Sequence, residues 1–338
     1  MTKLFACALA AAVAIASVPA ARAEGPEIKF AWPTPPFGAL YQNGFAKWVE
    51  DVNREAAGSA EIKVFPGGVI GNFGNVYDRV LNSVADLGFG IHGPISSQFP
   101  KTNIVTLPFE TKNGEEAGLA IWRLYEKGLI ADEYSKIHLL ELNVFPNVMI
   151  HTKDKAVRTM EDLKGLKISA EGRFISQTVT RLGATPITGN VAELYQSLQR
   201  GTIDGIAIAW IALETFKLYE QTHYHVEAPL ANDDGFLFMN KDSYAKLPAK
   251  MKAAVDKYSG EALVRRIIKV VADATESSRK VTMANANQTM INLEPAEEAR
   301  WRAAVAPVTE EWVKSVPNGA AILAAYREEV KKIRGGGM

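Results

Sequence analysis

Hydrophobic and polar positions follow two alternating rhythms along the first part of the chain. Glu27-Ile28-Lys29-Phe30-Ala31-Trp32 has the short apolar-polar pattern of a strand, stopped by Pro33, Pro35 and Pro36. Tyr41, Phe45, Trp48, Val49 and Val52 then recur at helical spacing, and the run ends near Gly58. Glu61 to Phe65 alternates as a second strand. A Gly-rich turn (Gly67, Gly68, Gly71, Gly74) leads into a helix marked by Val76, Val80, Leu81 and Val84, and Leu87 to Ile91 reads as a third strand. Strand and helix in alternation predict an α/β architecture with a largely parallel sheet.

The same rhythm restarts downstream. Leu166 to Ala170 reads as a strand, a helix runs to Leu182, and Thr185 to Thr188 is a short strand. Val191, Leu194, Tyr195 and Leu198 share a helix face closed by Gly201, and Ile203 to Ala209 is an apolar strand suited to burial on both faces. Two such runs, with a softer stretch near 145–155, predict two domains. From Pro248 to Ile291 the only glycine is Gly260 and no further proline occurs, which predicts one or two long helices. Pro295 to Arg334 is again helical, and Gly335-Gly336-Gly337 forms a tail.

The N-terminus changes the picture. Lys3, the apolar run Leu4 to Val18 and the small residues Ala21-Arg22-Ala23 make a secretory leader, with cleavage expected before Glu24. The run is shorter than the ~20 residues of a membrane span. Cys7, the only cysteine, lies in this leader, so a disulfide framework and a thiol nucleophile are both excluded from the exported chain. Loss of Lys3 and Arg22 leaves a slightly acidic protein with no basic block to suggest nucleic acid. A soluble periplasmic protein is the expectation.

Three stretches carry a family signature: Glu161-Asp162-Leu163-Lys164-Gly165-Leu166-Lys167-Ile168, then Leu182-Gly183-Ala184-Thr185-Pro186, then Glu193 through Gly205. In this order and spacing they resemble the solute receptors of tripartite ATP-independent periplasmic (TRAP) transporters. Phe65-Pro66, Ala85-Asp86-Leu87-Gly88, Leu107-Pro108-Phe109 and Leu247-Pro248 extend the likeness over about residues 27 to 330. The resemblance implies a two-domain periplasmic-binding-protein fold with a ligand cleft between the domains, crossing strands and a long bracing helix. It places domain I at 24–148 plus 236–278 and domain II at 149–235 plus 279–334. It also implies TRAP membrane permease subunits as partners, a monomeric receptor, and no cofactor or metal. Glu193 and the Asp204-Gly205 pair read as helix-start and turn chemistry rather than ligand contacts.

The chain departs from this family where the ligand is held. An arginine that grips the solute carboxylate normally follows the Lys-Ile pair, and Ser169 stands there instead. A second basic residue expected near Asn147 is also missing, and Ile206 to Trp210 replaces a more polar stretch. A hydrogen bond to a charged group contributes about 1.5–3 kcal/mol, so losing the clamp costs roughly ten- to a hundredfold in affinity unless it is replaced. Arg173, at the start of the next helix, either replaces it or is a solvated surface arginine. Candidate wall residues at strand ends are Trp32, Phe37, Phe89, His92, Phe109, Asn147, Ser169, Arg173, Asn190, Trp210 and Asp234. Core packing is the competing reading for each aromatic taken singly. Together these residues predict a small organic solute of apolar or aromatic character, such as an aromatic or branched monocarboxylate.

Other classes have less to stand on. The chain has no Gly-x-Ser-x-Gly elbow, and His223-x-His225 lacks carboxylates at metal-ligand spacing, which weighs against an exported hydrolase or lyase. A ligand-sensing receptor for signalling would share the fold and the cleft, and the sequence leaves that alternative open.

Overall fold

Ten strands joined in one hydrogen-bonded network carry the fold of residues 25–336, the residues that the computed structural model describes. The leader expected at 1–23 lies outside them. In chain order the strands are β1 (Glu27–Ala31), β2 (Glu61–Phe65), β3 (Leu87–Ile91), β4 (Ile137–Thr152), β5 (Lys167–Ala170), β6 (Thr185–Ile187), β7 (Gly205–Ala209), β8 (Tyr224–Glu227), β9 (Ala231–Asn240) and β10 (Thr289–Asn292). The main ladder runs β2-β1-β3-β9-β4-β7-β5-β6, with β8 pairing both β4 and β10. Parallel pairs β1–β2, β1–β3, β5–β6 and β5–β7 form the outer parts of the ladder, as expected of strand-helix-strand units.

β4 and β9 cross between the two parts. Ile137 to Val148 pairs antiparallel with Asn240 back to Ala231, and Val148 to Thr152 pairs with Ala209 back to Gly205. One strand therefore serves both domains. The sequence shows only a soft stretch near 145–155, whereas the structure has the bulge and last part of β4 there. Side chains alternate between two covered faces. On β9, Phe236 and Phe238 enter one core cluster while Leu237 and Met239 enter another. On β4, Val148 and Ile150 face one cluster of the second domain and Met149 faces the other. A sheet covered on both faces is the three-layer arrangement that the α/β pattern requires.

The stretch after Pro248 forms two helices, Ala249–Tyr258 and Glu261–Met283, separated by Gly260. The second has 23 residues and so spans about 35 Å. Leu263 and Ile267 lie in the first domain's core, and Ile268 fits over Gly118. At its far end, Ser278 Oγ donates to Trp210 O, 2.5 Å away, and accepts from Glu214 N at 3.2 Å. This helix is the expected brace.

Of residues 279–334, expected with domain II, the last helix packs elsewhere. Gly319–Arg334 lies on helix Gly114–Glu126, with Ile322, Leu323 and Tyr326 in that core. Ion pairs rim the contact: Arg334 with Glu116 at 2.8 Å and Arg327 with Glu110 at 2.6 Å. Glu329 is nearly covered and receives Lys127 at 2.5 Å and Lys332 at 3.0 Å. Burial alone would raise its carboxyl, but the bonds from Lys127 and Lys332 outweigh burial and bring its pKa down to about 2.

A carboxyl depressed in this way adds stability above its ordinary range and loses that contribution as the pH falls through its folded value. Glu329→Gln should lower stability by about 1.5–3 kcal/mol near neutrality. Urea unfolding at a series of pH values should show that deficit shrinking from about pH 4.5, where Glu329 of the unfolded chain takes up a proton, towards about pH 2, where the folded one does.

Candidate ligand-binding site

The cleft lies where β4 leaves β9 for β7, and ends of strands from both domains converge on it. Trp32 follows β1, Ile91 closes β3, Phe145 and Val148 flank the bulge of β4, Ser169 and Glu171 come from the end of β5, and Ala207 to Ala209 from β7. They enclose a cavity of about 100 Å³. That is the order of size of the ~150 Å³ apolar cavity known to accept benzene.

Most of the wall is ring or alkyl surface. Trp32 and Phe89 are stacked, with centroids 4.7 Å apart and planes at 26°. Tyr41 stands 5.1 Å from Trp32, Phe73 lies 6.3 Å from Phe89, and Phe145 and Phe216 complete the aromatic part. The Trp32 indole Nε1–H is buried and has no hydrogen-bond partner among the described residues. Trp48 and Trp122 also leave their indole N–H unpaired in the core, and Trp32 is set apart from them by lining the cavity.

The polar lining is sparse and its charge is one-sided. Glu171 and Asp233 line the cavity, while no arginine, lysine or histidine does so among the described residues. Burial raises the Glu171 carboxyl to about 8, with a further push from Asp233. Burial and the neighbouring Asp234 raise Asp233 to about 7, against the pull of the Asp234 N–H and of His92. Glu171 reaches this place through two glycines. Gly172 takes a left-handed φ of +81° before helix Arg173–Arg181, and a methyl on Gly93 would come within 3.0 Å of Glu171 Cγ. Residues of the two domains therefore meet closely beside the carboxyl.

Of the residues singled out in the sequence, Trp32, Phe89 and Ser169 line this cavity. Four others stand beside lining residues. Phe37, 67% exposed, precedes Gly38. Asn147, at φ +60° in the β4 bulge, donates its N–H to Asn232 and precedes Val148. Asn190 caps the turn after it by accepting from Ala192 N. Asp234 adjoins Asp233 but is buried 2.6 Å from His92 Nδ1.

The remaining four face elsewhere. His92 is a core residue, stacked on Phe236 at 4.3 Å and bonded to Tyr134. Phe109 lies under the Arg302 guanidinium at 3.9 Å, far along the helix Pro295–Ser315. Arg173 is exposed, with its guanidinium over its neighbour Phe174. Trp210 is buried behind the cleft, with its Nε1–H on Met149 Sδ. His225, of the His-x-His pair, meets His151 at 2.8 Å between Nδ1 atoms inside the second domain.

Sequence reasoning passed over Tyr41, Phe73, Phe145, Glu171, Phe216 and Asp233. Glu171 had a usable signal, since a residue two positions from Ser169 near a strand end points to the same side.

Two α/β domains joined by crossing strands, braced by a long helix and enclosing a small cavity at the crossing, define a solute-binding protein. The chain belongs to the bacterial extracellular solute-binding proteins of family 7 (DctP), which it matches over residues 35–315. Its structure superposes on a TRAP solute-binding protein of Rhodoferax ferrireducens in complex with copurified benzoate, with TM-score 0.87 and 27% identity, covering 92% of this chain and 99% of that one. It also superposes on a marine metagenome TRAP protein specific for aromatic acid ligands, bound to metahydroxyphenylacetate, with TM-score 0.86 and 25% identity over 91% and 99% of the two chains. By sequence it is 25% identical over 297 residues to the outer membrane transporter protein TsaT of Comamonas testosteroni, covering 83% and 85% of the two chains. TRAP solute-binding proteins hold small solutes and work with membrane permease components. No helix among the described residues is long and apolar enough to cross a membrane.

A carboxyl raised by burial favours the empty protein below its ordinary range and costs stability as the pH climbs to its folded value. Glu171→Gln should therefore leave the melting midpoint unchanged near about pH 4 and raise it by roughly 1–4 °C near about pH 8.5. Scanning calorimetry at both pH values measures the difference.

Proposed function

We propose that this chain is a monomeric periplasmic receptor that captures an organic acid with a single aromatic ring and presents it to a TRAP permease. The observation that carries this reading is the cavity at the β4–β9 crossing, walled by Trp32, Tyr41, Phe73, Phe89, Phe145 and Phe216 and sized for one ring. The bound benzoate and metahydroxyphenylacetate of the two structural relatives support it. Lys3, the apolar run to Val18 and the Ala21-x-Ala23 site support export through a cleaved leader.

The receptor works by closure. Solute enters between the domains, which we divide at the β4–β9 crossing, close to 148/149 and 235/236. Helix Gly319–Arg334 moves with domain I because it packs there. Trp32, Phe89 and Ser169 then contact the solute from both sides, and the closed form docks on the permease. Closure transmits a signal because the solute binds the closed form better than the open one. In this reading the receptor binds and releases its solute through aromatic surface and raised carboxyls.

Thermal-shift assays with benzoate, 3-hydroxybenzoate and phenylacetate, beside succinate and glucuronate, test the proposal. A solute at a hundred times its Kd stabilises by about 2.7 kcal/mol, so single-ring acids should raise the melting point by several degrees. Response to succinate or glucuronate alone would overturn the aromatic reading and keep the receptor.

A further inference from the structure

The cavity presents a puzzle of charge. An acid anion entering it meets Glu171 and Asp233 and finds no lining arginine, lysine or histidine among the described residues. At an effective dielectric of about 20, like charges about 4 Å apart repel by several kcal/mol, so an ionised cavity would reject the solute that its shape admits. Arg173 does not relieve this, being exposed over Phe174.

Resting on the aromatic-acid reading, we propose that the solute carboxylate is held by donors instead of a cation. One donor is the indole N–H of Trp32, and the other is a proton shared with the Glu171–Asp233 pair, so that solute and proton bind together. Trp32 contributes a ring on the cavity wall and a buried indole N–H that the fold leaves unpaired among the described residues. Glu171 contributes a side chain pressed against Gly93 at the seam between the domains.

The surroundings favour keeping that proton. Asp233 lines the same cavity as Glu171 and pushes its carboxyl up, Asp234 adjoins Asp233, and His92 is turned to Asp234 and Tyr134 in the core. Tyr41 is the remaining titratable group on the wall. The raised Glu171 carboxyl is consistent with a proton resident at neutral pH. No proton need be taken up on binding there, whereas above about pH 8 each solute must bring one with it.

Calorimetric titration of the whole exported chain with benzoate tests the arrangement from about pH 6 to about pH 9.5, in buffers of different ionisation heat. The expected result is a nearly constant affinity up to about pH 8, then a fall approaching tenfold per pH unit with uptake of about one proton per benzoate. Glu171→Gln, whose amide donates at every pH, should bind benzoate with a flattened alkaline slope, and Asp233→Asn should shift the slope. Trp32→Phe keeps the ring and loses the donor, and should weaken binding roughly tenfold or more at all pH values. Benzoate affinity that stays flat to the alkaline limit without proton uptake would overturn the shared proton and leave the aromatic-acid reading standing. Binding of benzylamine with none of benzoate, or of neither, would overturn the aromatic-acid reading itself.

Discussion

Everything in this molecule depends on the antiparallel pairing of β4 with β9. The two strands come from distant parts of the chain, and among the described residues their ladder is the only place where β-structure of the first domain continues into the second. The bulge between Phe145 and Val148 makes that continuation possible. Pro146 has no N–H to give a neighbouring strand and is tolerated at such an irregularity. Asn147 is among the residue types that accept a left-handed conformation at modest cost. Because the ladder is interrupted there, β4 can change partners from β9 to β7, and the cavity opens where the partners change. The site is thus a consequence of one local break in an otherwise covered sheet.

The cavity sets two energetic demands against each other. Rings packed around a small void give a solute apolar contact without having to rearrange, since Trp32 and Phe89 are already stacked and fixed by the core behind them. Carboxyls in the same wall are costly to ionise; at Asp233 the Asp234 N–H and His92 offset part of that cost, while the Asp234 carboxyl adds to it. His92, which looked functional in isolation, stands behind the site as part of this support, 2.6 Å from Asp234.

Much of the fold was legible. β1 and β2 alternate, β3, β5, β6 and β7 are short runs, and all six are bracketed by Pro, Gly and polar turns, so pattern and punctuation located them within a residue or two. β4 was not legible because both its faces are buried: Glu141 and Asn143 alternate with apolar residues yet are covered like them, and Pro146 reads as a terminator rather than a bulge. The site was half legible. Ser169 stood out against a family pattern, and Trp32 and Phe89 followed from strand ends. Phe109, His92 and Trp210 have the same local look, yet their direction is set by tertiary packing that no spacing encodes. Glu171 and Asp233 were missed because a search for a cation overlooks acids.

The span of the β4–β9 ladder also governs how the chain reaches its native state. Ile137 cannot find Asn240, nor Val148 find Ala231, until the whole intervening domain has been synthesised, and the brace follows later still. Pairing across such a gap must first overcome a large loop entropy, so folding that depends on it is slow. A chain that is slow to fold remains threadable for longer, which would suit the export proposed for this one. The same strand crossing that shapes the candidate site thereby sets a kinetic delay on folding.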